Sequence, residues 1–339
     1  MGSKNVDNKL VKSAHTTQRF TEEDIANLLK CQDLETGASF FLNNFFYIQH
    51  PTKGKIQYQA FSYQEKLLDS YNSHRFSVNM LGRQMGKTTT AVGFLLWYAM
   101  FVPDSTILIA AHKYTGAQEI MQRLRYAYEM CPDMIRAGVV SYNKQSIEFE
   151  NGSRIVAQTT TETTGRGMSI SLLYLDEFAF VEPNIATEFW TSISPTLATG
   201  GKAIITSTPN SDEDQFSMIW KEANKRIDEY GNTTELGKNG FFPFMAIWNE
   251  HPDRDDEWAA EERSRVGEER FRREHECEFL VFDETLISSI KMSDMEGIEP
   301  IMKMGQCRWY KKISPKHTYL VALDPSLGTG GDPAGIQII

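Results

Sequence analysis

The sequence has 339 residues, of which 41% are hydrophobic and 24% are charged, and its formal net charge is −10. This composition is typical of a globular protein with about two domains, and the acidic balance argues against a protein that coats DNA over its whole surface. The sequence shows no apolar run of 18 residues and no signal peptide, so we expect a soluble protein without a membrane span.

The four cysteines exclude two further classes of protein. No two of them have the spacing of a zinc pair or of a disulfide framework, so a reduced, cytosolic setting is expected. His275 and Cys277 are neighbours, but two potential ligands are too few for a metal site. The cysteines stand at positions Cys31, Cys131, Cys277 and Cys307.

Predicted strands and helices alternate along the chain. A first helix is predicted from Thr21, because a capping hydroxyl and three acids occupy its first turn. A hairpin is predicted to turn at Asn151-Gly152. The remaining strands are apolar runs without alternation, which is typical of a parallel sheet covered on both faces. These strands are predicted at 76–81, 105–111, 171–177 and 201–210.

After this series the composition changes. Residues 211–285 are charged and are predicted to be helical, with a solvated helix face as the simplest interpretation. Residues 286–316 are predicted to form a linker, and a new strand begins at 319–324.

The stretch NMLGRQMGKTTT lies between a predicted strand and a predicted helix. Its loop, Gly82 to Gly86, has one residue fewer than a Walker A loop. A glycine loop before a helix N-terminus binds phosphate through backbone N–H groups. Lys87 can reach the β and γ phosphates, and Thr88 can offer a hydroxyl to Mg²⁺. Arg83, inside the loop, either stabilises charge on the γ-phosphate or forms an outward salt bridge.

Two downstream motifs complete a nucleotide site. Asp176 and Glu177 follow the apolar residues LLYL, an arrangement in which the first acid holds Mg²⁺ and the second activates water. The strand ending in Thr206, Ser207 and Thr208 places three hydroxyls at the sheet edge, where open α/β sheets bind ligands. These hydroxyls could sense the γ-phosphate, or they could belong to an ordinary turn.

Three more residues are weaker candidates. The amides of Gln59 and Gln64 can donate and accept, which suits the edge of an adenine. Arg166 lies between two glycines and could reach a nucleotide of a neighbouring subunit, a DNA phosphate or only solvent.

The strings YQAFSYQEKLL, LGRQMGKTTT, LLYLDEFAFVEPN and TSTPN, in this order, resemble the large terminase subunit of tailed bacteriophages. The similarity is greatest to the type in large headful-packaging myoviruses, whose phosphate loop also carries an arginine and is one residue short. It covers roughly residues 38–339.

The resemblance implies an α/β fold of the P-loop NTPase type (RecA-like, of the ASCE class), with a mainly parallel sheet flanked by helices. It also implies a small helical subdomain and the beginning of an RNase H-like nuclease. The implied parts are an N-terminal helical segment at 1–57, an ATPase core at 58–212, a helical lid subdomain at 213–287, a linker at 288–316 and the start of the nuclease at 317–339.

The resemblance also implies roles for residues. Asp176 would be the Walker B acid, Glu177 the catalytic acid, and Thr206, Ser207 and Thr208 would couple hydrolysis to movement. Arg83 would act in cis, and Arg166 is inferred from its position to act in trans. The cofactors would be ATP and Mg²⁺. The ATP-binding residues would be Gln59, Gln64, Gly82, Arg83, Gln84, Met85, Gly86, Lys87, Thr88 and Thr89.

The implied partners are double-stranded DNA, the portal protein, the small terminase subunit and further copies of the chain in a ring, with a pentamer expected. The implied location is the host cytoplasm, transiently at the portal vertex and outside the mature virion. In the nuclease, Asp324 and Asp332 would bind metal. Because the chain ends at Ile339, before the remaining acids, we expect no nuclease activity, as in a split gene product or a shortened chain.

The sequence leaves two alternatives to a DNA-packaging motor. A superfamily 2 helicase shares the glutamines, the phosphate loop and the Asp-Glu strand, but needs a second RecA-like domain that residues 211–339 do not predict. An inactive structural or binding subunit is the other alternative, and the complete set of ATPase residues argues against it.

Overall fold

The computed structural model describes residues 10–228, 230–279, 297–305, 307–324 and 335–338. The chain divides into two compact units, Met1–Ser289 and Ile290–Ile339, and each is described by itself. Among the described residues, no helix combines the length and the apolar character that a membrane crossing requires.

The first unit is built around one large sheet, and a small hairpin precedes this sheet in the chain. The hairpin pairs β1 (Tyr47–His50) with β2 (Gly54–Gln57). The sheet has eight strands, which are β3 (Phe76–Leu81), β4 (Thr106–Ala111), β5 (Val139–Tyr142), β6 (Ser146–Phe149), β7 (Arg154–Thr159), β8 (Leu172–Asp176), β9 (Lys202–Ser207) and β10 (Phe242–Ala246).

The strand order is β10-β3-β9-β8-β4-β7-β6-β5. The strands from β10 to β7 are parallel, and β7, β6 and β5 pair antiparallel. The predicted α/β fold with a mainly parallel sheet is therefore confirmed, as is the hairpin at Asn151-Gly152. The register places Asp176 opposite Ala111 on one side and Thr206 on the other, so the carboxyl ends of three strands meet at one edge.

Helices cover both faces of the sheet. They are α1 (Glu22–Gln32), α2 (Gly37–Phe45), α3 (Ser62–Ser73), α4 (Lys87–Phe101), α5 (Tyr114–Met130), α6 (Pro183–Ile193), α7 (Gln215–Ala223), α8 (Asp256–Val266) and α9 (Glu268–His275). Short 3₁₀ helices span Phe178–Phe180, Ser194–Leu197 and Trp248–Glu250.

The core follows from the alternation of side chains along each strand. In β4, Ile107 and Ile109 pack with α2 to α5, whereas Leu108 and Ala110 pack on the other face with α6 and α7. Because both faces are covered, every position of the strand from Ile107 to Ala111 is apolar and the period-2 signal is absent from the sequence. Full burial of each isoleucine or leucine side chain contributes about 1.5–3 kcal/mol.

The charged segment 211–285 differs from its prediction. It contains β10, which extends the parallel sheet beside β3 by pairing Phe242–Ala246 with Ser77–Leu81. The prediction of a purely helical segment was therefore wrong, because the charged residues of the segment outweighed the apolar run FFPFMAIW at 241–248, which contains β10. Its charged helices also bury Trp248, Ala259 and Phe271 in a small apolar cluster, so the segment is more than a solvated face.

The second unit contains two antiparallel strand pairs. β11 (Met302–Met304) pairs with β12 (Cys307–Trp309), and β13 (Val321–Asp324) pairs with β14 (Gly335–Ile338). The strand predicted at 319–324 is confirmed as β13. Asp324 ends this strand, and Asp332 lies outside the described residues.

Candidate active site

The loop from Gly82 to Gly86 joins β3 to α4 as predicted. Gln84 and Gly86 have positive φ angles of 59° and 77°. A Cβ atom at Gly86 would lie 2.5 Å from the Nε2 atom of Gln64, so this position requires glycine both for its conformation and for space. The turn ends at the N-terminus of α4, where backbone N–H groups and the helix dipole favour an anion.

The acids predicted at the end of β8 lie beside this helix. The Nζ atom of Lys87 is 2.7 Å from Oε1 of Glu177, and both side chains are largely buried. The Oε2 atom of Glu177 accepts hydrogen bonds of 3.4 Å from the hydroxyl of Ser207 and from the backbone N–H of Thr208. Glu177 is therefore held between the phosphate-loop lysine and the strand-end hydroxyls.

Asp176 is held by hydroxyl groups. Its Oδ1 atom accepts hydrogen bonds from Tyr174 at 2.8 Å, and from Thr88 and Thr206 at 3.3 Å. Burial raises the pKa of Asp176 above its ordinary value, and the charge of Glu177 raises it further, while Lys87 opposes the shift. A nearby cation would stabilise the ionised carboxylate.

Thr88 and Asp176 present the oxygen donors that Mg²⁺ prefers. Within the described ranges, no group of three His, Cys, Asp or Glu side chains could hold a metal ion. The oxygens of Thr88 and Asp176 suit Mg²⁺ as an ion that usually keeps waters and phosphate oxygens as its other ligands. The Nε2 atom of His275 lies 3.4 Å from Oε1 of Glu262.

The outer side of the loop is backed by the segment that follows β10. Nη1 of Arg83 donates to Oε2 of Glu274 at 2.8 Å, and the backbone N–H of Arg83 donates to the Glu274 carbonyl at 2.6 Å. The salt bridge considered as the alternative for Arg83 is therefore present, and its action on a phosphate stays a prediction. Arg254 also contacts the loop, from the same segment.

The two candidate glutamines occupy different positions. Gln64 is buried, and its amide donates to the Met85 carbonyl at 3.1 Å and accepts from the hydroxyl of Tyr58 at 3.0 Å. Gln59 is exposed. Tyr63 also donates to the Met85 carbonyl, at 2.9 Å. Gln64 thus supports the phosphate loop from α3, and contact of either glutamine with adenine stays a prediction.

Arg166 lies apart from the acids, on an exposed turn. Gly165 and Gly167 on either side of it have positive φ angles of 74° and 78°. Its Nε atom donates to the hydroxyl of Ser192 at 3.3 Å. An exposed arginine on such a turn is accessible to another molecule, and its role in trans stays a prediction.

A cleft of about 1490 Å³ opens above the loop. The loop and the first turn of α4 line it from Arg83 to Thr89, together with Glu177 and Thr208. Polar residues of α5 and the residues around β1 line it further out, including Gln118, Gln122, Tyr126, Tyr47 and Gln49. A nucleoside triphosphate could place its phosphates on the loop and its base toward β1.

Several residues of the site were not found from the sequence. Tyr174 could have been found, because it lies two residues before Asp176 and therefore on the same side of β8. Glu274 and Arg254 carry no such signal, since they reach the loop from 191 and 171 residues away.

Comparisons with known proteins agree with this geometry. The profile of a family described as "Terminase large subunit, T4likevirus-type, N-terminal" matches residues 78–293. The large terminase subunits of Thermus virus P23-45 and Thermus phage G20c are each 27% identical over 272 residues, covering 73% of this chain and 54% of the relative. The chain spans about half the length of these curated relatives.

Solved structures share the fold. The ATPase domain of the large terminase of Thermus phage P74-26 matches with a TM-score of 0.53 and 22% identity, over 66% of this chain and 95% of that one. The large terminase of bacteriophage HK97 matches with a TM-score of 0.56 and 16% identity, over 70% of this chain and 53% of that one.

Proposed function

This chain belongs to the family of terminase large subunits of the T4likevirus type, and from that premise we propose that it is a Mg²⁺-dependent ATPase that drives double-stranded DNA into a procapsid. We assign the ATPase core to residues 58–212 together with β10, which extends its sheet, and the lid subdomain to the rest of residues 213–287. A large terminase from a thermophilic bacteriophage, which has a TM-score of 0.50 to this chain, is known in complex with ADP. Neither the family match nor the shared fold favours the helicase alternative.

One observation carries the proposal. Lys87, Thr88, Asp176 and Glu177 come from two separate elements and meet at the carboxyl edge of the sheet, within hydrogen-bond or salt-bridge distance of one another. A phosphate-binding lysine, a hydroxyl, a metal-binding carboxylate and a second acid are the groups that phosphoryl transfer to water requires. Residues that only stabilised the fold would not need to bring these four groups together at the carboxyl edge of the sheet.

Each residue then has a chemical task. Lys87 would bind the phosphates, and Thr88 with Asp176 would hold Mg²⁺, which neutralises phosphate charge when bound. Glu177 would orient the attacking water and take its proton, with Oε2 fixed by Ser207 and Thr208. Because Lys87 pairs with Glu177 in this structure, its move to a phosphate would free Oε1 to accept a proton.

The two arginines of one chain would act on the phosphates of two different nucleotides. Arg83, in the loop, would stabilise charge on the γ-phosphate within its own chain. Arg166, on its exposed turn, would reach a nucleotide bound by a neighbouring copy. Both roles follow the arginine-finger mechanism, in which a guanidinium stabilises charge as the phosphate bond breaks. Thr206, Ser207 and Thr208 would relay the loss of the γ-phosphate, because they contact both acids.

The proposed partners are DNA, the portal protein, the small terminase subunit and further copies of this chain in a ring, in the host cytoplasm. The net charge of −10 restricts DNA contact to local basic groups, and weak, sequence-independent contact with phosphates suits a motor that must move along DNA.

We also propose that β13 and β14 begin an RNase H-like nuclease fold. Asp324, at the end of β13, would bind metal together with Asp332. A plasmid-cleavage assay with Mg²⁺ or Mn²⁺ tests this proposal, and Asp324→Asn should abolish any cleavage that is found.

The ATPase proposal is tested with Glu177→Gln. We expect ATP hydrolysis to fall by about 100-fold or more, as loss of a general base does, while binding of a fluorescent ATP analogue is kept. Glu188→Gln, on the exposed face of α6, is the matched control. Each variant is assayed with and without linear duplex DNA. Hydrolysis by Glu177→Gln at the wild-type rate would show that the base is another residue.

A further inference from the structure

Arg254 lies between the 3₁₀ helix at Trp248–Glu250 and α8, and its side chain reaches the phosphate loop. Nη1 and Nη2 each donate to the carbonyl of Arg83 at 3.3 Å, and Nη2 donates to the carbonyl of Gln84 at 3.2 Å. Nη1 is also 3.5 Å from the sulfur of Met85. One guanidinium thus spans three consecutive residues of the loop.

The guanidinium is itself held in place. Its carbon lies 4.5 Å from the centroid of the Trp258 ring, as in a cation–π contact. In the described part of the chain, no carboxylate forms a salt bridge with Arg254, so its hydrogen bonds go to the loop. Arg254 is half-buried, and the loop carbonyls accept the hydrogen bonds that its guanidinium would otherwise lose on burial.

The contact lies on the side of the loop opposite to two of its amide groups. A trans peptide places its C=O and the following N–H on opposite sides, and the described residues contain no cis peptide. With the carbonyls of Arg83 and Gln84 held on the side of Arg254, the N–H groups of Gln84 and Met85 point away from it. Gln84 keeps a left-handed φ of 59° in this arrangement, which a non-glycine residue rarely adopts unless it is held.

We propose that Arg254 is a positioning residue for phosphate binding. It holds two loop carbonyls outward, so that the amide groups of Gln84 and Met85 are oriented for the triphosphate before the nucleotide arrives. The inference rests on the proposed ATPase function and adds to it a residue that does not touch the nucleotide. Preorganised amides bind an anion without the entropic loss of ordering a loop.

The test uses the full 339-residue chain and the variants Arg254→Lys and Arg254→Ala. Lysine keeps the charge and the aliphatic stem, but one ammonium cannot reproduce the fork that spans two carbonyls. Arg263→Ala is the matched control, since Arg263 lies over Phe271 at 4.2 Å and pairs with Glu276 in the same subdomain, and none of these contacts is to the loop.

We expect both Arg254 variants to raise the KM for ATP and the Kd for a fluorescent ATP analogue by about tenfold or more, with a smaller change in kcat. Millimolar guanidinium chloride should partly restore the affinity of Arg254→Ala. Arg263→Ala should keep wild-type affinity, even if its unfolding midpoint in urea falls.

The inference is overturned if Arg254→Lys binds ATP as wild type does, or if Arg263→Ala loses as much affinity as the Arg254 variants. A wild-type chain that neither binds nor hydrolyses ATP would overturn the proposed function together with this inference. Normal wild-type hydrolysis with unchanged Arg254 variants would overturn this inference alone.

Discussion

Tyr174 and Tyr71 are two fully buried tyrosines that differ in one respect. The hydroxyl of Tyr174 donates to Oδ1 of Asp176 at 2.8 Å and lies 3.0 Å from the hydroxyl of Thr206. The hydroxyl of Tyr71 has no hydrogen-bond partner within the described residues. Burial raises the pKa of both phenols well above the ordinary value, so both stay protonated. Phenylalanine at each position therefore removes one neutral hydroxyl.

We expect Tyr174→Phe to lower the free energy of unfolding by about 1.5–3 kcal/mol, the usual contribution of a hydrogen bond to a charged group. The lower end is expected, because Thr88 and Thr206 still donate to the same carboxylate oxygen. Tyr71→Phe removes a buried hydroxyl that has no hydrogen-bond partner among the described residues, so the free energy of unfolding should be unchanged or slightly higher.

Urea denaturation measures the free energy of unfolding of both variants, and the comparison is matched because each variant loses one hydroxyl oxygen. Because Tyr174 orients the proposed magnesium ligand, its variant should also need more Mg²⁺ for half-maximal ATP hydrolysis, whereas Tyr71→Phe should not. Equal unfolding free energies and equal Mg²⁺ requirements would refute the view that the Tyr174 hydroxyl positions Asp176.

Three further predictions concern the loop, a histidine and the thiols. Gly86→Ala should cost about 1–2 kcal/mol, because alanine is strained at a φ of 77° and its Cβ would lie 2.5 Å from Gln64; calorimetry and nucleotide titration measure the loss, and a variant as stable as wild type would contradict it. Burial, and then the charge of Arg254, lowers the pKa of His275 below its ordinary 6.5. As the pH falls, the unfolded chain therefore binds a proton at this histidine before the folded chain does, so stability should fall below about pH 6.5. The thermal unfolding midpoint of His275→Gln should fall less than that of wild type between neutral and mildly acid pH. An equal fall in both proteins would exclude His275 as the cause. Burial raises the pKa of Cys31 and Cys277 to about 12 and that of Cys131 still further, whereas Cys307 is exposed, so a thiol reagent should modify Cys307 alone until the protein is unfolded.

Much of the fold, and the grouping of the candidate site residues, could be predicted from short patterns in the sequence. Three patterns are each only a few residues long: the glycine loop before Lys87, the Asp176-Glu177 pair after four apolar residues, and the hydroxyls at the end of β9. Such patterns report local backbone geometry, and the rule that parallel strands end at the same edge is enough to bring them together. The apolar strands were equally clear, because a strand buried on both faces is apolar throughout.

The tertiary structure decided what surrounds that edge. β10 was missed although it lies within the apolar run FFPFMAIW, residues 241–248; Pro243 restricts this run to an edge strand, and only the structure shows that it pairs with β3. Gln64 offers the same amide to an adenine or to the Met85 carbonyl, and only the packing of α3 beside the loop shows that it bonds the carbonyl.

Arg83 gives the clearest division between the two sources. The sequence by itself determined that a guanidinium lies in the phosphate loop. That this group pairs with Glu274, and that Arg254 holds the loop carbonyls, was decided by contacts across 191 and 171 residues of chain. No local propensity encodes a contact at that separation, because it depends on how β10, α8 and α9 pack against the loop.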